Sequence, residues 1–497
     1  MNMDDFSDFL EKAKLANVIP VIETMPADLL TPLSVYLKVA RGQENSFLLE
    51  SVEGGESLAR YSFVGSAPKM IVSGTDRQIT ICDSSGESVR EISIIDYLRE
   101  HFASNKVFDD AEMPSFIGGA IGSLGFSCSS WFETTLKKSD GSNEGEASFM
   151  FFRSLVAFDH AKQLIKIVSL VFTGESEGNT CRLEQLYNDA LSENFRIKNI
   201  LENDPISLPK ANTQFANGDV ASNWKKADFE SAVLQVKELI NAGECYQVVL
   251  SQCFTKPTSA SAVSIYRAMR SLNPSPYMFL LQTDERSIIG ASPEMLVKCS
   301  GRKMQYRPIA GTRPRGKTPS EDARLADEMR ADKKEVAEHL MLVDLGRNDL
   351  GRVAEFGSIE VKDLMSVEKY SHVQHLVSYL SGNLRAGCDR FDALASCFPA
   401  GTVSGAPKVR AIEIIQQLEP TPRGFYAGAV GYFDYAGNMD TCIAIRTLLL
   451  ENGVAKVQAG AGIVADSVPE LEYQETINKA KALLTAIEIA ENQANFL

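Results

Sequence analysis

Hydrophobic and polar residues alternate in short runs across the first third of the chain. Six such runs lie between about Phe47 and Val171, and they read SFLLESV, RYSFVGSAP, KMIVSG, QITICD, SFMFFRSLVAFD and QLIKIVSLVF. Alternation with a period of two predicts strands, and turn residues separate the runs. We therefore expect this part of the chain to be mainly β-sheet.

The rest of the chain mixes helical patterns with strands. Helical periodicity begins at Asp228 (DFESAVLQVKELINAG) and returns in EDARLADEMRADKKEVAEHLMLVDLG and in SVPELEYQETINKAKALLTAIEIAENQ, whereas CYQVVLSQCF alternates as a strand. Strands that are not regularly interleaved with helices predict an α/β fold of the α+β type with mostly antiparallel sheet. The polar stretch Leu208–Asn223 lacks periodicity and indicates a boundary between an N-terminal lobe (1–215) and a C-terminal domain (222–497).

Composition narrows the possible partners of the chain. A formal net charge of −15 and a pI near 5.0 argue against binding to nucleic acid or to an anionic membrane. No 18-residue apolar run occurs, and the acidic, amphipathic start MNMDDFSDFLEKAK is unlike a signal peptide. The nine cysteines are scattered without a CxxC pair. We therefore expect a cytoplasmic protein in a reducing compartment.

Two pairs of glutamates are candidates for a metal site. Glu335 and Glu338 lie three residues apart in one predicted helix, and Glu472 and Glu475 do the same in another. Residues at this spacing share a helix face, and four carboxylates form an oxygen-only site that suits Mg²⁺ better than zinc. The alternative is that both pairs lie on solvated helix surfaces, but the apolar neighbours in VAEHLMLVDL favour a buried face.

Three of the five histidines cluster in the sequence and could suggest a zinc site. However, HVQHLVSYL alternates as a strand, which places His372 and His375 on opposite faces. Zinc is therefore not expected. His375 lies on an apolar face, where it is either a hydrogen-bonded core residue or a tuned acid.

Four cations surround a Gly-Thr turn in RPIAGTRPRGK. They are Arg307, Arg313, Arg315 and Lys317. This run is either a solvated loop or part of an anion site in an otherwise acidic protein.

Other segments could also hold an anion. FPAGTVSGAPK (Phe398–Lys408) departs from P-loop spacing but is a glycine-rich turn before a predicted helix, and QAGAGIVA offers a second backbone nest. Arg446 lies among apolar strand residues and needs an anionic partner, which is either a ligand or an internal carboxylate. These features together suggest a Mg²⁺-assisted enzyme that acts on a small carboxylated substrate.

Read as a set, the motifs resemble those of the chorismate-utilising enzymes. The resemblance is carried by ECYQVVLSQ, PIAGTRPRG, AEHLMLVDLGRNDLGRV, FPAGTVSGAPK, GAVGY and QAGAGIVADSVPELEYQET, and it reaches the N-terminal lobe through LLES and ARYSFVG. It implies two orthogonally packed antiparallel β-sheets flanked by helices, with a chorismate-binding catalytic site in the cleft between the sheets.

The resemblance also implies residue roles. Glu338 and Glu475 look like direct Mg²⁺ ligands, and Glu335 and Glu472 resemble outer carboxylates that orient metal-bound water. His375 is similar to the residue that assists loss of the C4 hydroxyl, and Thr402 to the one that supports pyruvate elimination. The positions similar to substrate contacts are Gly311, Thr312, Tyr426, Arg446, Gly460, Ala461, Gly462 and Lys479.

Three positions distinguish the branches of the family. Gln247 replaces the lysine base of the water-adding isochorismate and salicylate synthases, and Ala310 replaces the nucleophilic lysine of aminodeoxychorismate synthases. The loop AGTVSGAPK also differs from their SGSITGAPK. The pattern favours the anthranilate synthases, which aminate chorismate with ammonia in the first step of tryptophan biosynthesis. The alternatives are an aminodeoxychorismate synthase and an inactive tryptophan-binding sensor.

The resemblance further implies a regulator and a partner protein. LLES and NPSPYMF resemble the family's L-tryptophan inhibition site, with contacts from Glu50, Ser51, Pro276, Tyr277 and Met278. The chain lacks the combination of a Gly-x-Cys turn and a distant His-x-Glu that marks a class I glutaminase. Ammonia is therefore expected from a separate glutamine amidotransferase subunit, in a heterotetramer, or from free ammonium at high pH.

Two segments have no assigned contact to substrate. The side chains of Arg313, Arg315 and Lys317 are expected to form a positive rim that attracts the substrate dianion. The segment Gly118–Ser130 lacks the tyrosine and acidic residues that commonly follow this glycine pair in the family.

Overall fold

The computed structural model describes residues 6–51, 60–108, 113–136, 147–210, 214–369 and 373–493. The helices within these residues are α1 (Phe6–Ala13), α2 (Pro32–Val39), α3 (Ile94–Ser104), α4 (Ser129–Phe132), α5 (Thr180–Asn203), α6 (Lys226–Asn241), α7 (Ala262–Leu272), α8 (Pro319–Ala331), α9 (Lys333–Gly351), α10 (Arg390–Cys397), α11 (Lys408–Leu418) and α12 (Pro469–Gln493). Short 3₁₀ turns cover Phe126–Cys128, Thr173–Ser176 and Gly401–Val403.

The strands include the alternating runs identified in the sequence. They are β1 (Val18–Pro26), β2 (Ser46–Glu50), β3 (Tyr61–Ser66), β4 (Met70–Gly74), β5 (Ile79–Asp83), β6 (Gly86–Arg90), β7 (Gly119–Leu124), β8 (Ala147–Phe152), β9 (Ser154–Asp159), β10 (Leu164–Phe172), β11 (Ala221–Ser222), β12 (Gln247–Pro257), β13 (Tyr277–Gln282), β14 (Arg286–Ser292), β15 (Met295–Ser300), β16 (Lys303–Tyr306), β17 (Ile309–Pro314), β18 (Glu360–Lys369), β19 (Val373–Asn383), β20 (Gly405–Ala406), β21 (Ala429–Asp434), β22 (Met439–Ile443), β23 (Thr447–Glu451) and β24 (Val454–Ile463).

These strands form two 12-stranded sheets. The first has the order β1-β10-β9-β3-β2-β13-β14-β23-β24-β12-β11, with β20 also paired to β12, and the second has the order β17-β19-β16-β15-β22-β21-β7-β8-β4-β5-β6, with β18 paired to β19. Neighbouring strands along these paths are antiparallel, as the pairs β12–β24 and β18–β19 illustrate. The prediction of an α+β fold with two antiparallel sheets and flanking helices is confirmed.

Both sheets contain strands from each side of the Leu208–Asn223 connector. In the first sheet, β2 pairs with β13, with Leu48 opposite Leu280. In the second, β7 pairs with β21, with Ile121 opposite Tyr432. Each sheet is therefore completed by the other segment of the chain, and the division at 215–222 remains a prediction about chain segments. The atypical Gly118–Ser130 segment supplies β7, which is buried along its whole length.

The predicted helix from Glu321 onward is interrupted, and the prediction of one continuous helix is wrong. Helix α8 ends at Ala331 and α9 begins at Lys333, with Asp332 in an extended conformation between them. The Asp332 carboxylate accepts the backbone N–H groups of Lys334 and Glu335. An N-cap of this kind satisfies amides that a new helix leaves unpaired, so it starts α9 as a separate helix.

Within the described residues, no helix is long and apolar enough to cross a membrane.

Candidate active site

A cavity of about 1110 Å³ lies between the two sheets. Its walls are formed by β12 and β24 of the first sheet, by β17 and β19 of the second, and by helices α9 and α12. The predicted site residues that line it are Gln247, Gly311, Thr312, Glu338, His375, Thr402, Tyr426, Arg446, Gly460, Gly462, Glu472, Glu475 and Lys479. The structure therefore brings together residues from distant parts of the sequence.

Carboxylates of α9 and α12 face this cavity. Glu338 is solvent-accessible through the cavity, but the protein packed around it raises the pKa of its carboxyl, and the like charges of Glu335 and Glu475 raise it further. Burial also raises the pKa of Glu472, with a contribution from Glu475. Carboxylates that repel one another in this way favour a cation between them.

In the described parts of the chain, no three His, Cys, Asp or Glu side chains are close enough to hold a metal ion by themselves. A site with two protein carboxylates suits Mg²⁺, which keeps several waters and often shares its remaining positions with the substrate. The pair Glu338 and Glu475 fits this arrangement, because both line the cavity, from α9 and α12, and the charge of Glu475 acts on Glu338.

Glu335 and Ala461 differ from the prediction. Glu335 does not line the cavity, because its Oε1 accepts a hydrogen bond from Arg313 Nη1 at 2.8 Å. Arg313 also bonds Asp332 Oδ2 at 3.1 Å, so it ties β17 to the start of α9. The Ala461 side chain is fully buried and lies outside the cavity lining.

The expected positive rim is not formed by Arg313 of β17 or by Arg315, which follows this strand. Arg313 is paired with Glu335 and Asp332, and Arg315 makes an ion pair with Asp322 at 2.7 Å. None of Arg313, Arg315 and Lys317 lines the cavity. The positive charge of both arginines is therefore offset locally by carboxylates.

Arg446 lines the cavity without a counter-charge among the described residues. Its guanidinium has no hydrogen bond or ion pair among the described residues, and burial lowers its pKa. Its backbone is left-handed, with φ of 51°, which is uncommon for a residue other than glycine. An unpaired, largely buried arginine on a strained backbone indicates a binding site for an anion.

The backbone of β24 provides the surface beside Arg446. Strand β23 pairs with β24 only up to Val457. Beyond Val457, among the described residues, the strand that pairs with β24 is β12. Lys479 Nζ donates a hydrogen bond to Gly460 O at 2.9 Å and also pairs with Glu475 at 2.7 Å. Lys479 therefore links the β24 backbone to the carboxylate cluster.

Gly462 leaves room for the side chain of Gln247. A Cβ atom at Gly462 would lie 2.4 Å from Gln247 Nε2, which is closer than real contacts allow. The amide of Gln247 therefore packs directly over the β24 backbone at the edge of the cavity. A larger residue at position 462 would therefore displace the Gln247 amide from this place.

The ring of His375 has a defined tautomer. Its Nδ1 lies 2.8 Å from Gly311 O and 3.2 Å from Thr312 Oγ1. A carbonyl oxygen can only accept, so Nδ1 carries the proton and Nε2 is the acceptor nitrogen of the neutral ring. Burial lowers the pKa of His375, which keeps the ring neutral near pH 7. The strand prediction for this segment is confirmed by β19, whereas His372 lies outside the described residues.

His339 has a structural position. It is fully buried, and its Nε2 lies 2.6 Å from Ser378 Oγ. The hydrogen bond joins α9 to β19, next to the strand position of His375.

Glu294 is a site residue that the sequence reasoning missed. It lines the cavity, and burial raises its pKa from 4.5 to about 7, opposed in part by the Thr402 hydroxyl and by Lys479. The Thr402 Oγ1 is buried and has no partner of normal hydrogen-bond geometry among the described residues. An acidic residue within the apolar run IIGASPEMLV was the available signal in the sequence.

The raised pKa of Glu294 has a measurable effect on stability. A raised carboxyl pKa in the folded state stabilises the fold below the unfolded value of 4.5, and this contribution is lost as the pH rises through about 7. Glu294→Gln, which mimics the protonated form, should therefore gain about 3 kcal/mol in free energy of unfolding over the parent at pH 9, and little at pH 4. Urea denaturation at both pH values measures this. A difference that does not change with pH would contradict the assignment.

A second cavity of about 190 Å³ lies between β2, β13 and the second sheet. It is lined by all of the predicted regulatory residues, namely Glu50, Ser51, Pro276, Tyr277 and Met278. Ser51 Oγ is buried and has no hydrogen-bond partner among the described residues. Pro276 lines both cavities, so the segment before β13 connects them.

The Glu50 carboxylate is turned away from this second cavity. It accepts a hydrogen bond from the Tyr266 hydroxyl at 2.5 Å and from Arg270 Nε at 3.2 Å, both on α7. Glu50 can therefore contribute to the second cavity through its backbone, while its charge is already satisfied.

Comparison with known proteins identifies the family. A family model described as chorismate binding enzyme matches residues 33–485. Anthranilate synthase component 1 of Acetivibrio thermocellus is 45% identical over 488 residues, which cover 96% of this chain and 97% of that protein. The crystal structure of anthranilate synthase component I from Streptococcus pneumoniae TIGR4 matches with a TM-score of 0.73 at 36% identity, over 93% of this chain and 99% of that chain.

A more distant structure has the same fold. The menaquinone-specific isochorismate synthase MenF from Escherichia coli matches with a TM-score of 0.69 at 20% identity, over 95% of each chain. Full-length relatives, the family match and the cavity built from the predicted motifs lead to one conclusion. The chain belongs to the family of chorismate-binding enzymes.

Proposed function

We propose that the chain is the synthase component of an anthranilate synthase. The reaction is the conversion of chorismate and ammonia to anthranilate, pyruvate and water. The observation that carries this proposal is a single cavity with an unpaired Arg446 and, from facing helices, the carboxylates of Glu338 and Glu475. A dianionic substrate needs two positive charges in the cavity. One is a cationic side chain of the protein, and the other is a metal cation held by the protein's carboxylates.

Glu338 and Glu475 would hold the Mg²⁺ ion, and Glu472 would orient its water. When bound, the ion would neutralise the ring carboxylate of chorismate and stabilise charge that develops on it. Lys479 now pairs with Glu475, so it would turn toward the substrate when that carboxylate is engaged. Glu335, which Arg313 holds, would act on Glu338 through its charge.

The enolpyruvyl carboxylate would bind at the opposite part of the cavity. Arg446 supplies the counter-charge, and burial raises the pKa of the Tyr426 hydroxyl to about 12, which keeps it a hydrogen-bond donor. The backbone of Gly460 to Gly462 lies beside both residues. Gly311 and Thr312 would contact the ring from β17.

Glu294 and His375 would share the handling of the C4 hydroxyl. With a pKa of about 7, Glu294 can give a proton to this hydroxyl as it leaves as water. The neutral His375 can accept a hydrogen bond through Nε2 and so orient the same hydroxyl. Thr402, beside Glu294, would support the later elimination of pyruvate.

The nucleophile would be free ammonia rather than a side chain. Gln247 and Ala310 both line the cavity, and neither supplies an amine where related enzymes carry a lysine. A separate glutamine amidotransferase subunit would deliver the ammonia. Cys128 does not fit a glutaminase nucleophile, because burial raises the pKa of its thiol well above the usual value.

The second cavity would bind L-tryptophan as a feedback inhibitor. Ser51 offers an unpaired hydroxyl there, and Tyr277 and Met278 supply apolar surface. Because Pro276 lines both cavities, occupation of one would change the wall of the other.

The purified chain alone, given chorismate, Mg²⁺ and ammonium at alkaline pH, tests the function. We expect the fluorescence of anthranilate to rise and pyruvate to appear in equal amount. Accumulation of an aminated product that keeps its enolpyruvyl group would instead identify an aminodeoxychorismate synthase. Tryptophan binding without loss of chorismate would identify an inactive sensor.

A further inference from the structure

A buried ion pair lies behind the cavity wall. Lys408 Nζ donates hydrogen bonds to Asp349 Oδ1 at 2.9 Å and Oδ2 at 3.0 Å, and it lies 3.4 Å from Ser396 O. The side chains of Lys408 and Asp349 are 9% and 6% exposed, and neither lines the cavity. The pair therefore has no direct access to a substrate.

This pair joins two elements that carry site residues. Asp349 belongs to α9, which presents Glu338 to the cavity, and Lys408 ends the Phe398–Lys408 segment, which presents Thr402. The Phe398–Lys408 segment also packs against α9 one helical turn before Asp349. A Cβ atom at Gly401 would lie 1.9 Å from Leu345 Cδ2. Positions four residues apart share a helix face, so both contacts hold the segment against one side of α9.

A contribution to the stability of the fold does not by itself explain why such a buried ion pair is present. Replacing a buried ion pair by apolar residues often leaves a fold equally stable or more stable. Thr402, by contrast, needs a fixed backbone, because its Oγ1 is buried and has the Glu294 carboxyl as its polar neighbour. A displacement of about 1 Å at such a position can cost roughly 100-fold in rate.

We propose that Lys408 is a positioning residue, whose ion pair with Asp349 fixes the Phe398–Lys408 segment so that Thr402 Oγ1 faces Glu294. This inference rests on the proposed function for its reaction, but it concerns how the wall of the cavity is held. Lys408 acts through Thr402, and it contacts neither chorismate nor the metal ligands.

A double-mutant cycle tests whether Lys408 acts through Thr402. The variants are Lys408→Met, Thr402→Val and the combination of both, and turnover is followed as loss of chorismate absorbance, which reports any chorismate chemistry. Lys408→Met should lower kcat roughly 100-fold with less than a threefold change in the KM for chorismate. Adding it to Thr402→Val should cause little further loss, since interacting residues are not additive. Effects that multiply in the combined variant would overturn the proposal.

A matched ion pair elsewhere provides the control. Lys256 Nζ lies 2.8 Å from both carboxylate oxygens of Glu491, and these side chains are 7% and 10% exposed. Neither Lys256 nor Glu491 lines the cavity, and Lys256 pairs with Ala455 of β24, three residues (about 10 Å along the strand) from Gln458 in the cavity wall. Lys256→Met should lower the melting temperature about as much as Lys408→Met, with kcat unchanged within about twofold. Equal losses of kcat in both variants would show a purely structural role and overturn the proposal.

Two further variants keep the test decisive if Lys408→Met does not fold. Asp349→Leu combined with Lys408→Met removes both charges and should restore stability without restoring kcat. Asp349→Asn keeps one acceptor oxygen and should give an intermediate kcat at unchanged KM. Recovery of kcat in the apolar double variant would overturn the proposal. Formation of a product other than anthranilate would refute the proposed function. The double-mutant cycle could still be interpreted, because it follows the loss of chorismate.

Discussion

Glu338→Ala and Glu475→Ala should each reduce anthranilate formation by more than roughly 100-fold. Both carboxylates line one cavity, from α9 and α12, and burial raises the pKa of Glu338, with a further rise from the like charges of Glu335 and Glu475. Removing an outer partner of a metal ligand typically costs 10- to 100-fold, so removal of a direct ligand should cost more. Fluorescence of anthranilate at saturating chorismate and increasing Mg²⁺ measures the loss.

A control on the same helix separates the metal site from general effects on α12. Glu470 is exposed and pairs with Lys226 outside the cavity, so Glu470→Gln should keep the parent rate. Glu472→Gln should give an intermediate loss, because Glu472 lines the cavity without being a proposed direct ligand. Parent-like rates in both Glu338→Ala and Glu475→Ala would refute the metal assignment.

Ser51→Phe should abolish inhibition by L-tryptophan while leaving the uninhibited rate unchanged. The second cavity measures about 190 Å³, and a phenyl group at Ser51 would occupy the space that an indole ring needs. Ser51 does not line the main cavity, so the catalytic groups should be unaffected. Initial rates at increasing tryptophan concentrations measure the effect.

Ser51→Ala is the matched variant for this experiment. It removes the unpaired hydroxyl without adding volume, and the loss of one hydrogen bond should weaken inhibition by about 3- to 10-fold. Unchanged inhibition in both variants would place the regulatory site elsewhere. A lower uninhibited rate in Ser51→Phe would show that the change reaches the active site.

Strands such as β3 and β19 were predictable because their sequences alternate or are rich in apolar residues, whereas the exposed β6 has no buried face for the sequence to record. The run HVQHLVSYL predicted β19 and the separate faces of its residues for this reason. The end of α8 was not predictable from periodicity, since a side-chain cap at Asp332 decides where one helix stops and the next starts. Such a cap depends on local hydrogen bonds rather than on hydrophobic spacing.

Site residues that belong to sequence motifs were predictable. Residues whose direction or pKa depends on contacts with distant parts of the chain were not. Arg446 was found because a cation among apolar strand residues lacks a partner in its own segment. The direction of Glu335 depends on Arg313, twenty-two residues earlier in the chain. The pKa of Glu294 depends on burial and on Thr402 and Lys479, which come from other elements. Both properties arise only when the chain is folded.

Glu338 and Glu475 together would hold a divalent ion at the cavity. Crystals of the chain soaked with Mn²⁺, which replaces Mg²⁺ and scatters anomalously, measure this directly. We expect an anomalous peak between the two carboxylates in the parent protein and no peak there in Glu475→Ala. A peak elsewhere in the cavity, or the same peak in both proteins, would contradict it.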